Sequence, residues 1–104
     1  MEKIDKLLEF LKQNPTDSFL QHALALEYVK VGKSTEAKRL FKDIVHREPG
    51  YIGTYYHLAK LLEFLGEKEE AIKTFETGML ESKKAGDMHT YGELQAACEE
   101  LNDL

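Results

Sequence analysis

The sequence predicts an all-α fold of stacked helix–turn–helix units, and three observations predict it. First, residues 15–48 and 49–82 are one 34-residue unit written twice. Pro15/Pro49, Leu24/Leu58, Ala25/Ala59, Gly32/Gly66, Glu36/Glu70, Ala37/Ala71 and Phe41/Phe75 are identical at that offset. The matches fall on turn-forming and apolar positions, and a fixed period of this length with helical patterning marks a solenoid of helix pairs. Second, Leu, Ala, Glu and Lys dominate, β-branched residues are sparse and only two prolines interrupt the chain. That is a helix-forming composition. Third, apolar residues recur at three- and four-residue steps between glycine and proline stops. At 104 residues the chain is expected to make a single domain.

The first helix runs from about Glu2 to Gln13, with Ile4, Leu7, Leu8 and Leu11 on one stripe and Phe10 beside it. Asn14-Pro15 stops it, because a residue before proline avoids the α region. Asp17 or Ser18 caps the second helix by accepting its free amide hydrogens. That helix reaches about Val31 and ends at Gly32, a residue that readily turns left-handed. Ser34 or Thr35 caps the third helix, which runs to about Arg47 and ends before Pro49. A fourth occupies about Ile52 to Leu65 and stops at Gly66, and a fifth spans about Lys68 to Lys84 and closes at Gly86. The last, about Met88 to Asn102, carries Tyr91, Leu94, Cys98 and Leu101 on one side. Turns this short make consecutive helices antiparallel.

With these residues in place the chain resembles the tetratricopeptide repeat family. The first repeat supplies Leu24-Ala25, Tyr28, Gly32, Ala37, Phe41 and Pro49; the second supplies Tyr55, Leu58-Ala59, Leu62, Gly66, Ala71 and Phe75. Gln21 departs from the pattern where a large residue is expected, and Lys83 stands in place of the second closing proline, so the fifth helix should run on a little. The last helix then falls into register, with Tyr91, Leu94, Cys98 and Leu101 following Tyr55, Leu58, Leu62 and Leu65 by 36 residues. The resemblance implies a right-handed α-solenoid covering the whole chain. Its parts are a half-repeat helix (1–14), a first repeat (15–48), a second repeat (49–85) and a capping helix (86–104). Initial Met and capping half-repeats favour a complete small protein. Ala25, Ala37, Ala59 and Ala71 lie where two helix backbones approach, and larger side chains there would force them apart.

The resemblance implies a protein-binding module whose first helix in each repeat lines a concave groove for a peptide or a partner's helix. On the second helix Leu20, Leu24, Tyr28 and Val31 share the core side, leaving Phe19, His22, Leu26 and Lys30 toward the groove. On the fourth, Leu58, Leu62 and Leu65 go to the core, leaving Tyr56, Lys60, Glu63 and Phe64 outward. Exposed aromatics such as Phe19, Tyr56 and Phe64 suit a binding surface because they bury much area at little entropic cost. The best-known groove of this family clamps the carboxylates of an acidic tail with Lys, Arg and Asn. Here the matching places hold His22, Leu26 and His57, and the last helix offers His89 and Glu93. An acidic ligand is therefore a poor fit, and apolar anchors with basic flanks fit better. Homodimerisation by stacking of terminal helices, through the stripe on the first helix, is the alternative.

Charge supports that choice of ligand. Residues 1–50 hold nine Lys/Arg against eight Asp/Glu, a net of +1, and residues 51–104 hold five against eleven, a net of −6. The cluster Lys38, Arg39, Lys42 and Arg47 is interleaved with Glu36, Asp43 and Glu48. It reads as a solvated helix face, so no nucleic-acid partner is expected.

Catalysis finds no foothold. Gly32-Lys33-Ser34-Thr35 mimics the tail of a phosphate-binding loop, but Glu27 stands where that loop needs glycine and a helix leads in. The four histidines, at 22, 46, 57 and 89, have no metal-ligand spacing. Cys98 is a core residue by its phase, and pairs such as Glu69-Glu70 and Glu99-Glu100 belong to polar faces. The expectation is a non-enzyme with no cofactor. A single cysteine, no apolar run long enough to span a bilayer and no cleavable leader point to a cytoplasmic protein with no membrane partner.

Overall fold

The computed structural model describes residues 1–104 and contains six helices: α1 (Glu2–Gln13), α2 (Ser18–Lys30), α3 (Ser34–Arg47), α4 (Gly53–Phe64), α5 (Lys68–Lys84) and α6 (Met88–Asn102). There are no strands. The chain divides into two compact units, residues 1–48 and 49–104, each of three helices.

In the first unit α2 packs against both α1 and α3. Asp17 Oδ1 accepts from the Leu20 amide at 3.0 Å and caps α2, a contact of about 1 kcal/mol. The helix ends in a left-handed turn at Gly32 (φ +81°). There the Lys33 amide donates to Tyr28 O at 2.9 Å and the Gly32 amide to Val29 O at 3.2 Å. These bonds satisfy the last carbonyls of the helix. The expected cap on α3, Ser34 or Thr35, is not used. Lys33 holds the cap position with no side-chain hydrogen bond. The glycine turn leads straight into the helix, so Ser34 is already its first residue, and the Ala37 amide bonds Lys33 O at 3.1 Å.

The core of this unit is Ile4, Leu24, Ala25, Ala37, Leu40, Phe41 and Ile44, all buried. Ala25 and Ala37 have no exposed surface, as close backbone approach requires. Gln21 is buried where a large residue is expected. Its Nε2 donates to Pro15 O at 3.3 Å, and Arg47 reaches back from the end of α3. One Arg47 Nη2 donates to Gln21 Oε1 and to Ser18 Oγ, each at 2.8 Å. Ser18 Oγ in turn donates to Glu48 Oε1 at 2.7 Å. Charge-assisted bonds of this type contribute about 1.5–3 kcal/mol each. Arg47 is thus a structural residue, and Arg39 pairs with Asp43 at 3.8 Å.

In the second unit α5 packs against both α4 and α6. The glycine turn recurs at Gly66 (φ +81°) and Gly86 (φ +73°). Tyr55 OH donates to Pro49 O at 2.6 Å. Phe75, Leu62 and Leu94 are fully buried, with Leu58, Cys98 and Leu101 nearly so. At Gly78 the helices meet so closely that a Cβ would lie 2.6 Å from Tyr55 Cβ and 3.0 Å from Leu94 Cδ1. As expected from the lost proline, α5 is long, at 17 residues against 14 for α3.

Two assignments to the core side are corrected. Leu65 is 39% exposed and Val31 is 45% exposed. Both are the C-cap residues of their helices, at φ/ψ of −78/0° and −98/9°. There the backbone has left helical geometry, so the helical phase no longer aims the side chain inward. In α4 the third core leucine is Leu61, 5% exposed, which with Leu58 and Leu62 makes an i, i+3, i+4 face.

Candidate functional site

On the second unit, α4 and α6 wall an open groove of about 520 Å³. Both are packed on α5, which fixes their separation. The α4 wall presents Gly53, Tyr56 and His57, and the α6 wall presents Glu93, Ala96, Ala97 and Glu100. Steps of three and four residues on each helix put these side chains on one face. Tyr56 is 40% exposed. Its ring stands edge-on to His57 (centroids 5.8 Å apart) and to buried Phe75 (6.4 Å), so the core braces it from behind. Partial desolvation of the His57 imidazole lowers its pKa below 6.5. Ala96 and Ala97 keep the far wall low.

Further along α4, Lys60 Nζ lies 3.2 Å from Glu63 Oε1, so these two neutralise one another. Phe64 ends the helix and is 80% exposed. It is not packed beneath a neighbouring helix.

On the first unit, Phe19 is 61% exposed at the start of α2. His22 is half-buried, its ring 5.6 Å from that of Phe41, so packing takes up part of its surface. Leu26 is also half-buried. Lys30 is exposed and pairs with Glu27 at 3.1 Å, which also meets Lys3 of α1 at 3.8 Å. Among these four, Phe19 offers the free apolar surface.

The α6 wall was not anticipated beyond Glu93. Its signal was the 36-residue offset, which sets Glu93 against His57, Ala96 against Lys60 and Glu100 against Phe64. The structure holds no group of three or more His, Cys, Asp or Glu side chains placed to bind a metal ion. Cys98 is buried, with Asn102 Nδ2 3.8 Å from its sulfur, and burial raises its pKa. The segment that mimics a phosphate loop is the left-handed turn at Gly32. No helix is long and apolar enough to cross a membrane.

Comparison with known proteins agrees with this geometry. A tetratricopeptide repeat family model matches residues 28–98. The solution structure of a tetratricopeptide repeat domain protein from Salinibacter ruber is 38% identical, with a TM-score of 0.83 over 86% of this chain and 91% of that one. The TPR2B domain of yeast Sti1, solved in a complex with pHsp70, superposes at a TM-score of 0.88 over 96% of this chain and 80% of that one. A protein from Bordetella parapertussis superposes at 0.82, over 96% of this chain and 87% of that one. At 15% and 22% identity these last two share the fold alone. No curated protein matches at a significant level.

Proposed function

The chain belongs to the tetratricopeptide repeat family, and from that premise we propose that it is a non-catalytic adaptor whose α4 face holds a peptide or helix of a protein partner. The observation that carries this reading is the pairing of Tyr56 and Phe64, both exposed on α4, with an open groove beside Tyr56. Exposed aromatics of this kind anchor an interface once a partner buries them, while their surroundings mainly exclude water. Lys60 and Glu63 supply a polar rim next to those anchors. On the first unit Phe19, His22, Leu26 and Lys30 form a second contact patch with Phe19 as its anchor. The fold is a protein-interaction scaffold, and no cofactor, nucleic acid or membrane enters the proposal. A lone buried cysteine is consistent with action in the cytoplasm.

The test is quantitative affinity capture from a lysate of the source cells, wild type beside Tyr56→Ala/Phe64→Ala. A partner held by the wild type and lost at least tenfold by a double variant of unchanged helicity supports the reading. Equal retention by both proteins moves binding off α4.

A second reading, self-association through α1, has its own observation. Ile4 is spent in the core and Leu7 and Leu11 are half-buried, but Leu8 (41%) and Phe10 (55%) stay exposed. Leu8 and Leu11 also border a cleft of about 590 Å³ with Leu24, Tyr28 and Leu40. Light scattering across a concentration series decides it: a constant monomer mass removes this reading.

A further inference from the structure

We propose that the α4–α6 groove is made for a cationic side chain: a lysine or arginine of the partner protein seats beside the Tyr56 ring, between the carboxylates of Glu93 and Glu100. The proposal rests on the α4 face being the binding surface and names the chemistry of what that surface holds.

Glu93 and Glu100 stand seven residues apart on α6. They share one side of it, about 10 Å apart along the axis. Between them come Ala96 and Ala97, whose single methyl groups leave room for an incoming chain. Opposite stands Tyr56, braced by Phe75. A cation in this position is attracted by two carboxylates and by an aromatic ring at once.

No lysine or arginine lines the groove. The nearest on the α4 side, Lys60, is drawn to Glu63 at 3.2 Å. The one base on the groove wall is His57, and desolvation beside the Tyr56 ring works against its charged form. On α6 itself, His89 lies 3.7 Å from Glu93 and is well exposed. The net −6 of residues 51–104 raises the local concentration of any cationic segment and repels acidic ones.

The apolar half of the recognition lies further along the same helix. Phe64 is two turns on from His57, so it continues the same face of α4, about 12 Å beyond Tyr56. An extended peptide covers that distance in about three to four residues. The partner segment is therefore one with a basic residue and, three or four positions away, an apolar one.

The test uses the full chain, labelled with nitrogen-15, and three capped peptides of equal length. Each carries a leucine four positions from a central residue, which is arginine, leucine or glutamate. The arginine peptide is expected to shift the amide signals of Tyr56, Glu93, Ala97 and Glu100 saturably, with at least tenfold higher affinity than the glutamate peptide. Its affinity should fall as salt is raised. Glu93→Gln/Glu100→Gln, with helicity unchanged, should weaken the arginine peptide at least tenfold and the leucine peptide less than twofold. Equal binding of arginine and leucine peptides to wild type and variant overturns the charge proposal while the groove reading survives. If no peptide moves those signals, the groove reading fails and the proposal with it. Shifts that grow with protein concentration alone make a second copy the occupant, which also overturns it.

Discussion

At position 21 a glutamine, and at position 55 a tyrosine, send a hydrogen bond to the carbonyl of the proline that opens their own repeat. The tyrosine does this with one side chain that also fills the core. The glutamine is shorter, and Arg47 with Ser18 completes the contact from 26 and 3 residues away. That is why Gln21 read as a flaw in the pattern: Arg47, which completes its bonding, lies 26 residues away and follows no period. Ser82 shows the opposite case. It has no exposed surface, and its Oγ has no hydrogen-bond partner. An unsatisfied buried hydroxyl is costly, so Ser82→Ala is expected to raise stability by about 1–2 kcal/mol in urea unfolding. A loss of stability would reveal a partner for that hydroxyl. His57 gives a pH dependence. Desolvation lowers its folded pKa below the 6.5 of the unfolded chain, so the unfolded state takes up a proton first as pH falls. The stability it contributes is complete above pH 6.5 and is lost on descending through 6.5 toward the folded value. Urea midpoints should therefore fall faster below pH 6.5 in the wild type than in His57→Gln, and parallel curves would refute the assignment.

The helices were legible because each is bounded by punctuation with a mechanical meaning. Gly32, Gly66 and Gly86 all adopt positive φ, where the missing Cβ matters. Asp17 accepts the bond expected of a cap. What the pattern could not show is how a helix end releases its side chains. Val31 and Leu65 occupy the same place in the two repeats, fit the apolar phase, and are both partly exposed. Gly78 was equally silent in the pattern, since its counterpart in the first repeat is Ile44. Its value lies in the packing of α5 against α4 and α6, where it lets Tyr55 approach. Gly78→Ala improves helix propensity by about 1 kcal/mol, yet the added methyl would fall 2.6 Å from Tyr55 Cβ. The backbone-proximal clash cannot be relieved by a rotamer, so the net expectation is a loss of about 1–3 kcal/mol. Thermal unfolding would show it, and a rise in midpoint would mean that the α4–α5 spacing is slack.

At the scale of the whole molecule, the 34-residue repeat announced the fold class and the kind of function together, whereas the candidate site was only half legible. Tyr56 and Phe64 could be placed outward from helical phase alone. Beyond Glu93 the α6 wall was hinted at only by the 36-residue offset, because Ala96, Ala97 and Glu100 become a surface only when α5 holds α4 and α6 side by side. The exposed phenylalanines at 10, 19 and 64 offer apolar area that a bound partner would bury. The basic segment on α3 has a structural explanation instead, since Arg47 and Arg39 bond within the first unit. The most direct test of the central claim is amide hydrogen exchange on the chain, free and bound to the partner recovered by affinity capture. Added protection confined to α4 and α6, centred on Tyr56 and on residues 93–100, is the predicted result. Protection confined to α1 or α3, with α4 and α6 unchanged, would contradict it.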